Sequence, residues 1–153
     1  MTERKIDRRS MELFSTFEEL SGVDVIDLVE SEEDERLVVL IPDDQVGKAV
    51  GKGGSRLQNI RDKMGMTIDV VAFSEDPKEL VLNYFRPHDT QGVEMQERRD
   101  GTLVARVKVA PKDKGRAIGK AGRNVKLCGE LVSRHTDIDQ VVVDEGEVEA
   151  TED

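Results

Sequence analysis

The sequence predicts an α+β fold made of two tandem copies of one unit, each running α-β-β-α-α-β. Three observations carry this expectation. An eleven-residue segment starting at Gly47 recurs 68 residues later, starting at Gly115, with identity at Gly47/Gly115, Ala49/Ala117, Gly51/Gly119, Lys52/Lys120 and Gly54/Gly122. Strand-like runs closed by proline precede both copies, Leu37 to Pro42 and Leu103 to Pro111. Helical spacing follows both, through Leu57, Ile60 and Met64 and then Val125, Cys128 and Val132 at the same offset. Repetition at a fixed offset marks duplication of a structural unit. Two small cores also suit 153 residues that are 37% hydrophobic and 3% aromatic, with no Trp, since short domains bury a smaller share of their surface.

Each element has its own signal. Leu13, Phe14, Phe17 and Leu20 share one helical face, which Gly22 stops. A strand at 23–29, an acidic turn at 30–35 and a strand at 36–41 follow. After the glycine segment comes a longer helix ended by Gly65, then a strand at 67–73. Unit two opens with Asp76 as N-cap, Pro77 at the first helical position and Glu79 at the third, ahead of Leu80, Val81, Tyr84 and Phe85. Strands are expected at 93–98 and 103–109, the second alternating apolar and basic residues, and a last strand at 138–143. The domains are drawn at 1–75 and 76–144, with 145–153 an acidic tail of solvating, disordered composition. No Gly/Ser linker separates the units, so they are expected to pack rigidly together.

Several function classes are excluded. The longest apolar run, Leu37 to Ile41, is far short of the roughly 20 residues that span a bilayer. The first residues lead into no apolar signal-peptide segment. One cysteine, Cys128, cannot form an internal disulfide; with only His88 and His135 beside it, no zinc site is expected. Cys128 takes the core slot of Ile60, as a small apolar residue. No nucleophile–base pair is visible. The expectation is a cytoplasmic protein that is not an enzyme, with no cofactor, no metal and no membrane partner.

The glycine segments join a short helix to the N-terminus of a longer one. Helix N-termini present backbone N–H groups and a positive dipole end, which favour an anion such as phosphate. A P-loop needs G-x-x-x-x-G-K-[ST], but only three residues separate Gly47 from Gly51, and Gly53 and Ala121 stand where the hydroxyl belongs. A Rossmann fingerprint fails because Arg56 occupies its third glycine position. What remains is G-x-x-G between two helices: Gly51-Lys52-Gly53-Gly54 and Gly119-Lys120-Ala121-Gly122.

On these residues the chain resembles the KH domain family, whose GXXG loop clamps the backbone of about four nucleotides. The order α-β-β-α-α-β looks like the type II variant, and two such units fused without a linker resemble the archaeal NusA-like family of transcription termination and antitermination proteins. The resemblance spans about Met11 to Asp144. It implies single-stranded RNA as ligand, with RNA polymerase or other transcription factors as further partners. It implies that Gly51, Lys52, Gly53 and Gly54, and Gly119, Lys120, Ala121 and Gly122, approach the sugar-phosphate backbone. Lys48, Lys52, Arg56, Arg116, Lys120 and Arg123 would neutralise phosphates. Bases would lie against Val50, Leu57, Ile68 and Val70 in unit one, and against Ile118, Val125 and Ile138 in unit two. Rival readings are a ribosome-assembly or RNA-processing factor, and a protein-interaction module with vestigial loops.

The net charge of −10 argues against nucleic acid until it is resolved by segment. Residues 45–63 carry +4 and residues 112–126 carry +5, leaving −19 on the remainder. Binding follows local potential more than net charge.

Overall fold

The computed structural model describes residues 7–146. The chain divides into two compact units that meet at Phe73/Ser74.

Unit one begins with α1 (Arg8–Ser21). Asp7 caps it through a 2.7 Å bond from the Ser10 amide, and Gly22 ends it in the left-handed region. Strands β1 (Asp27–Ser31) and β2 (Arg36–Ile41) pair antiparallel. Helices α2 (Val46–Val50) and α3 (Ser55–Met64) follow, and β3 (Thr67–Ala72) pairs parallel to β2, giving the order β1-β2-β3. One face of the sheet supplies Leu37, Val39 and Ile41 to a core that Phe17 of α1, Ala49 of α2 and Leu57 and Ile60 of α3 complete.

Unit two repeats the plan: α4 (Pro77–Tyr84), β4 (Thr90–Glu97), β5 (Leu103–Val109), α5 (Lys114–Ile118), α6 (Arg123–His135) and β6 (Gln140–Glu145), with the order β4-β5-β6. Asp76 caps α4 by accepting from the Lys78 amide at 3.0 Å, with Pro77 in the first turn. Cys128 is fully buried, as its alignment with Ile60 requires.

Three strand boundaries differ from expectation, each for a local reason. The segment 23–26 alternates like a strand, burying Val23 and Val25, yet β1 starts only at Asp27. The amides of Asp24 and Val25 are taken by the side chains of Gln45 (2.8 Å) and Glu18 (3.0 Å) instead of a neighbouring strand. Strand β4 starts at Thr90, ahead of the expected Val93, because the ladder to β5 continues through an irregularity at Thr90/Gly92. Strand β6 is shifted toward the C-terminus. Ile138 is buried ahead of it with its amide on Thr136 Oγ1, and the strand takes in two acids, including the first residue assigned to the tail. Arg106 binds Asp144 at 2.9 Å and Lys114 lies 3.8 Å from Glu145, which offsets their charge. The rest of the tail, 147–153, lies outside the described residues.

Candidate nucleic-acid interface

Both G-x-x-G loops have the same backbone. Gly51 and Gly119 sit at φ/ψ of 76°/175° and 79°/171°, a region essentially confined to glycine. Positions 53 and 121 are left-handed (64°/19° and 53°/25°), and so are Gly54 and Gly122 (77°/7° and 73°/14°). A second constraint acts at the first glycine. A Cβ on Gly51 would lie 2.6 Å from Arg56 Cβ, and one on Gly119 would lie 2.8 Å from Asn124 Cβ. The loop therefore folds flat against the helix that follows it.

No side chain caps α3 at Gly54 or α6 at Gly122. Each helix thus turns a positive dipole end, without a capping carboxylate or hydroxyl, toward its own loop. Lys52, Gly53, Lys120 and Ala121 are exposed there, so the two middle positions of each loop face solvent.

The other nominated cations differ in setting. Lys48 is exposed, and its ammonium donates to the Gly22 carbonyl at 2.9 Å, at the C-terminal end of α1. The side chain of Arg116 is 77% exposed, and its guanidinium donates to Asp113 Oδ1 at 2.8 Å. Arg56 is exposed in the first turn of α3, and Arg123 opens α6 half-buried.

Asp113, buried just before α5, also accepts from the Asp89 amide at 2.8 Å. That backbone bond, with Arg116 beside it, holds the carboxyl below its ordinary range. It ties the approach to the second loop to the start of β4.

The sequence reading missed Asn124. It stands where unit one has Arg56, but it is buried. Its Nδ2 donates to the Ala117 carbonyl at 2.7 Å, and the buried Tyr84 hydroxyl lies 2.9 Å from its Oδ1 and 3.0 Å from its carbonyl. Tyr84 of α4 thereby fixes both helices that flank the second loop. The available signal was a break in the repeat, an uncharged amide where the first copy has arginine.

Beside the second loop runs an open groove of about 580 Å³ between α6 and β6. Ile118, Val125, Val142 and Val143 give it an apolar floor; Lys126, Ser133 and Gln140 are among its polar edges, and Gly122 belongs to both groove and loop. This corrects part of the base-contact expectation. Leu57, Ile68 and Ile138 are buried core residues: Leu57 on α3 and Ile68 on β3 turn into the sheet–helix interior, and Ile138 is buried in the connection just ahead of β6. Val50, Val70, Ile118 and Val125 remain partly accessible.

Comparison with known proteins decides the family. The NusA-like second KH domain matches residues 77–145, and the general KH domain matches residues 36–86. The probable transcription termination protein NusA of Halobacterium salinarum is 32% identical over 137 residues, covering 90% of this chain and 96% of its own length. This chain belongs to the NusA-like KH family. The Methanococcus vannielii protein of the same name is 30% identical over 91% of this chain and 79% of its own length. The transcription termination/antitermination protein NusA of Bacillus subtilis is 37% identical over 96 residues, which are 25% of that longer protein. The crystal structure of APE1850 matches with a TM-score of 0.71 at 32% identity, covering 91% of this chain and all of that one. In this NusA-like chain both G-x-x-G loops lie inside matched stretches, residues 51–54 within 36–86 and residues 119–122 within 77–145. Among the described residues, no helix is long and apolar enough to cross a membrane.

Proposed function

We propose that this NusA-like protein binds single-stranded RNA through its two G-x-x-G loops and acts in transcription termination and antitermination. The observation that carries the reading is the duplicated loop. Two segments 68 residues apart adopt one backbone conformation, each with an exposed lysine in front of an uncapped helix N-terminus. A phosphate seated on such a loop meets backbone N–H groups, the helix dipole and an ammonium together. Glycine at the first position lets the nucleic-acid backbone approach without a side chain between. The reading requires no catalytic step and no cofactor. RNA polymerase or another transcription factor is the protein partner it implies, and the cytoplasm, with the nascent transcript, is the location.

The test is affinity for a pool of short single-stranded RNAs across a salt series, paired with crosslinking in cells. The expected result is binding that weakens steeply with salt, together with crosslinks to nascent transcripts. Crosslinks confined to pre-ribosomal RNA would overturn the transcriptional half of the reading.

A further inference from the structure

Each unit ties the approach to its loop to the segment ahead of its first strand, but with different chemistry. In unit one the residue is Gln45. Its side-chain carbonyl accepts from the Asp24 amide at 2.8 Å, and its Nε2 donates to the Asp24 carboxylate at 3.2 Å. In unit two the same place, 68 residues on, is Asp113, whose Oδ2 accepts from the Asp89 amide at 2.8 Å. A neutral amide therefore suffices for the backbone bond, whereas burying a carboxylate costs free energy unless it is paired. Its second oxygen, Oδ1, takes Nη2 of Arg116 at 2.8 Å. The Asp113 side chain is only 9% exposed, and that of Arg116 is 77% exposed. Among the described residues Arg116 gives Asp113 that one nitrogen, which leaves Nε and Nη1 without a protein acceptor. Lys48, the counterpart of Arg116 in unit one, donates instead to the Gly22 carbonyl at 2.9 Å.

We propose that Asp113 is a positioning residue for RNA binding: anchored by the Asp89 amide, it holds the Arg116 guanidinium one turn ahead of the second loop, with two nitrogens ready for a phosphate. This rests on RNA binding by the loops. A long side chain loses rotamer freedom when it grips a phosphate, and one already held by a carboxylate has less to lose. The planar guanidinium suits this task because its fork of N–H groups can serve two anions in a fixed geometry, which the compact charge of an ammonium cannot do. Gly119 lies three residues after Arg116, so a strand with one phosphate on the loop can bring a neighbouring phosphate to Nε and Nη1. By charge alone the opposite effect would hold, since an acid beside a phosphate repels it. The sign of the change when that acid is neutralised therefore separates positioning from simple charge.

The experiment measures the affinity of the full chain for random-sequence single-stranded RNA dodecamers at low salt, in wild type, Asp113→Gln, Arg116→Gln and the double variant. Glutamine is chosen because Gln45 makes the equivalent backbone bond in unit one. Arg116→Gln is expected to weaken binding about fivefold to tenfold, the scale of one charge-assisted contact. Asp113→Gln removes a negative charge and is nonetheless expected to weaken binding at least about threefold. In the Arg116→Gln background it should cause no further loss, because the two residues act as one unit. Unchanged or tighter binding by Asp113→Gln overturns the proposal, and so does an equal loss with and without Arg116, which would mark a purely structural role. Arg116→Lys, at an exposed position, needs no change at Asp113: it keeps the charge and loses the fork. A loss of about threefold or more in that variant supports the proposal, and affinity within about 1.5-fold of wild type overturns it. Failure of wild type to bind the dodecamers at low salt overturns the RNA reading itself.

Discussion

Gly51 and Gly119 combine a glycine-only backbone with a helix packed against the missing Cβ, so alanine at either fails on both counts. Gly51→Ala or Gly119→Ala is expected to cost about 2–3 kcal/mol in urea unfolding, as strained backbone of this kind does. The third loop position is milder, because alanine already occupies it in one copy. Ala121→Gly relieves a left-handed alanine and should stabilise unit two, while Gly53→Ala should destabilise unit one, each by about 1 kcal/mol. Opposite signs at equivalent positions are the readout; equal signs would contradict the shared backbone. Acid acts through Asp7, Asp100 and Asp113, whose carboxyls are all lowered from 3.8 by hydrogen bonds from Ser10, Thr102 and the Asp89 amide. A folded value below the unfolded one contributes stability above the unfolded value and loses it as pH falls through the folded one. Thermal unfolding should therefore be flat from neutral pH down to about 5 and fall below about 4, and Asp113→Asn should blunt that fall.

Among the elements, α4 and α6 are coupled by one hydroxyl. Tyr84→Phe keeps the ring but removes the donor to Asn124, and is expected to cost about 1–2 kcal/mol because a buried acceptor is left without it. A loss well below that range would mean that the Tyr84 hydroxyl adds little to what already holds Asn124. Elements were legible in the sequence where one interaction dominates. β2 and β5 follow from apolar runs closed by proline, and α4 from its Asp-Pro start. β1 was misplaced because alternation at 23–26 reports burial and says nothing of which group takes each amide; here Gln45 and Glu18 take two. β6 was misplaced because acids read as strand-ending until Arg106 and Lys114 are brought opposite them. The loops were legible because glycine spacing encodes backbone directly. Asn124 was not, since its meaning lies in partners reached only by folding.

At the scale of the molecule, the net charge of −10 conceals where the cations sit. Lys52 and Lys120 stand exposed on the loops, while Lys48, Arg61 and Arg116 are engaged by the protein itself. The salt dependence of RNA binding should therefore depend most on the two loop lysines. Lys52→Ala with Lys120→Ala should flatten the slope of log affinity against log salt by roughly 1.4, at about 0.7 per phosphate on a single strand. An unchanged slope would move the phosphate contacts elsewhere. The central claim is that both loops clamp RNA, and the most direct measurement is RNA affinity after Lys52→Asp, Gly53→Asp, Lys120→Asp and Ala121→Asp are combined. All four positions are exposed, and aspartate tolerates left-handed backbone better than most residues, so the fold should survive, as circular dichroism would report. The expected result is a loss of at least about a hundredfold in affinity from the reversed charge on both loops; affinity within about twofold of wild type would contradict the account.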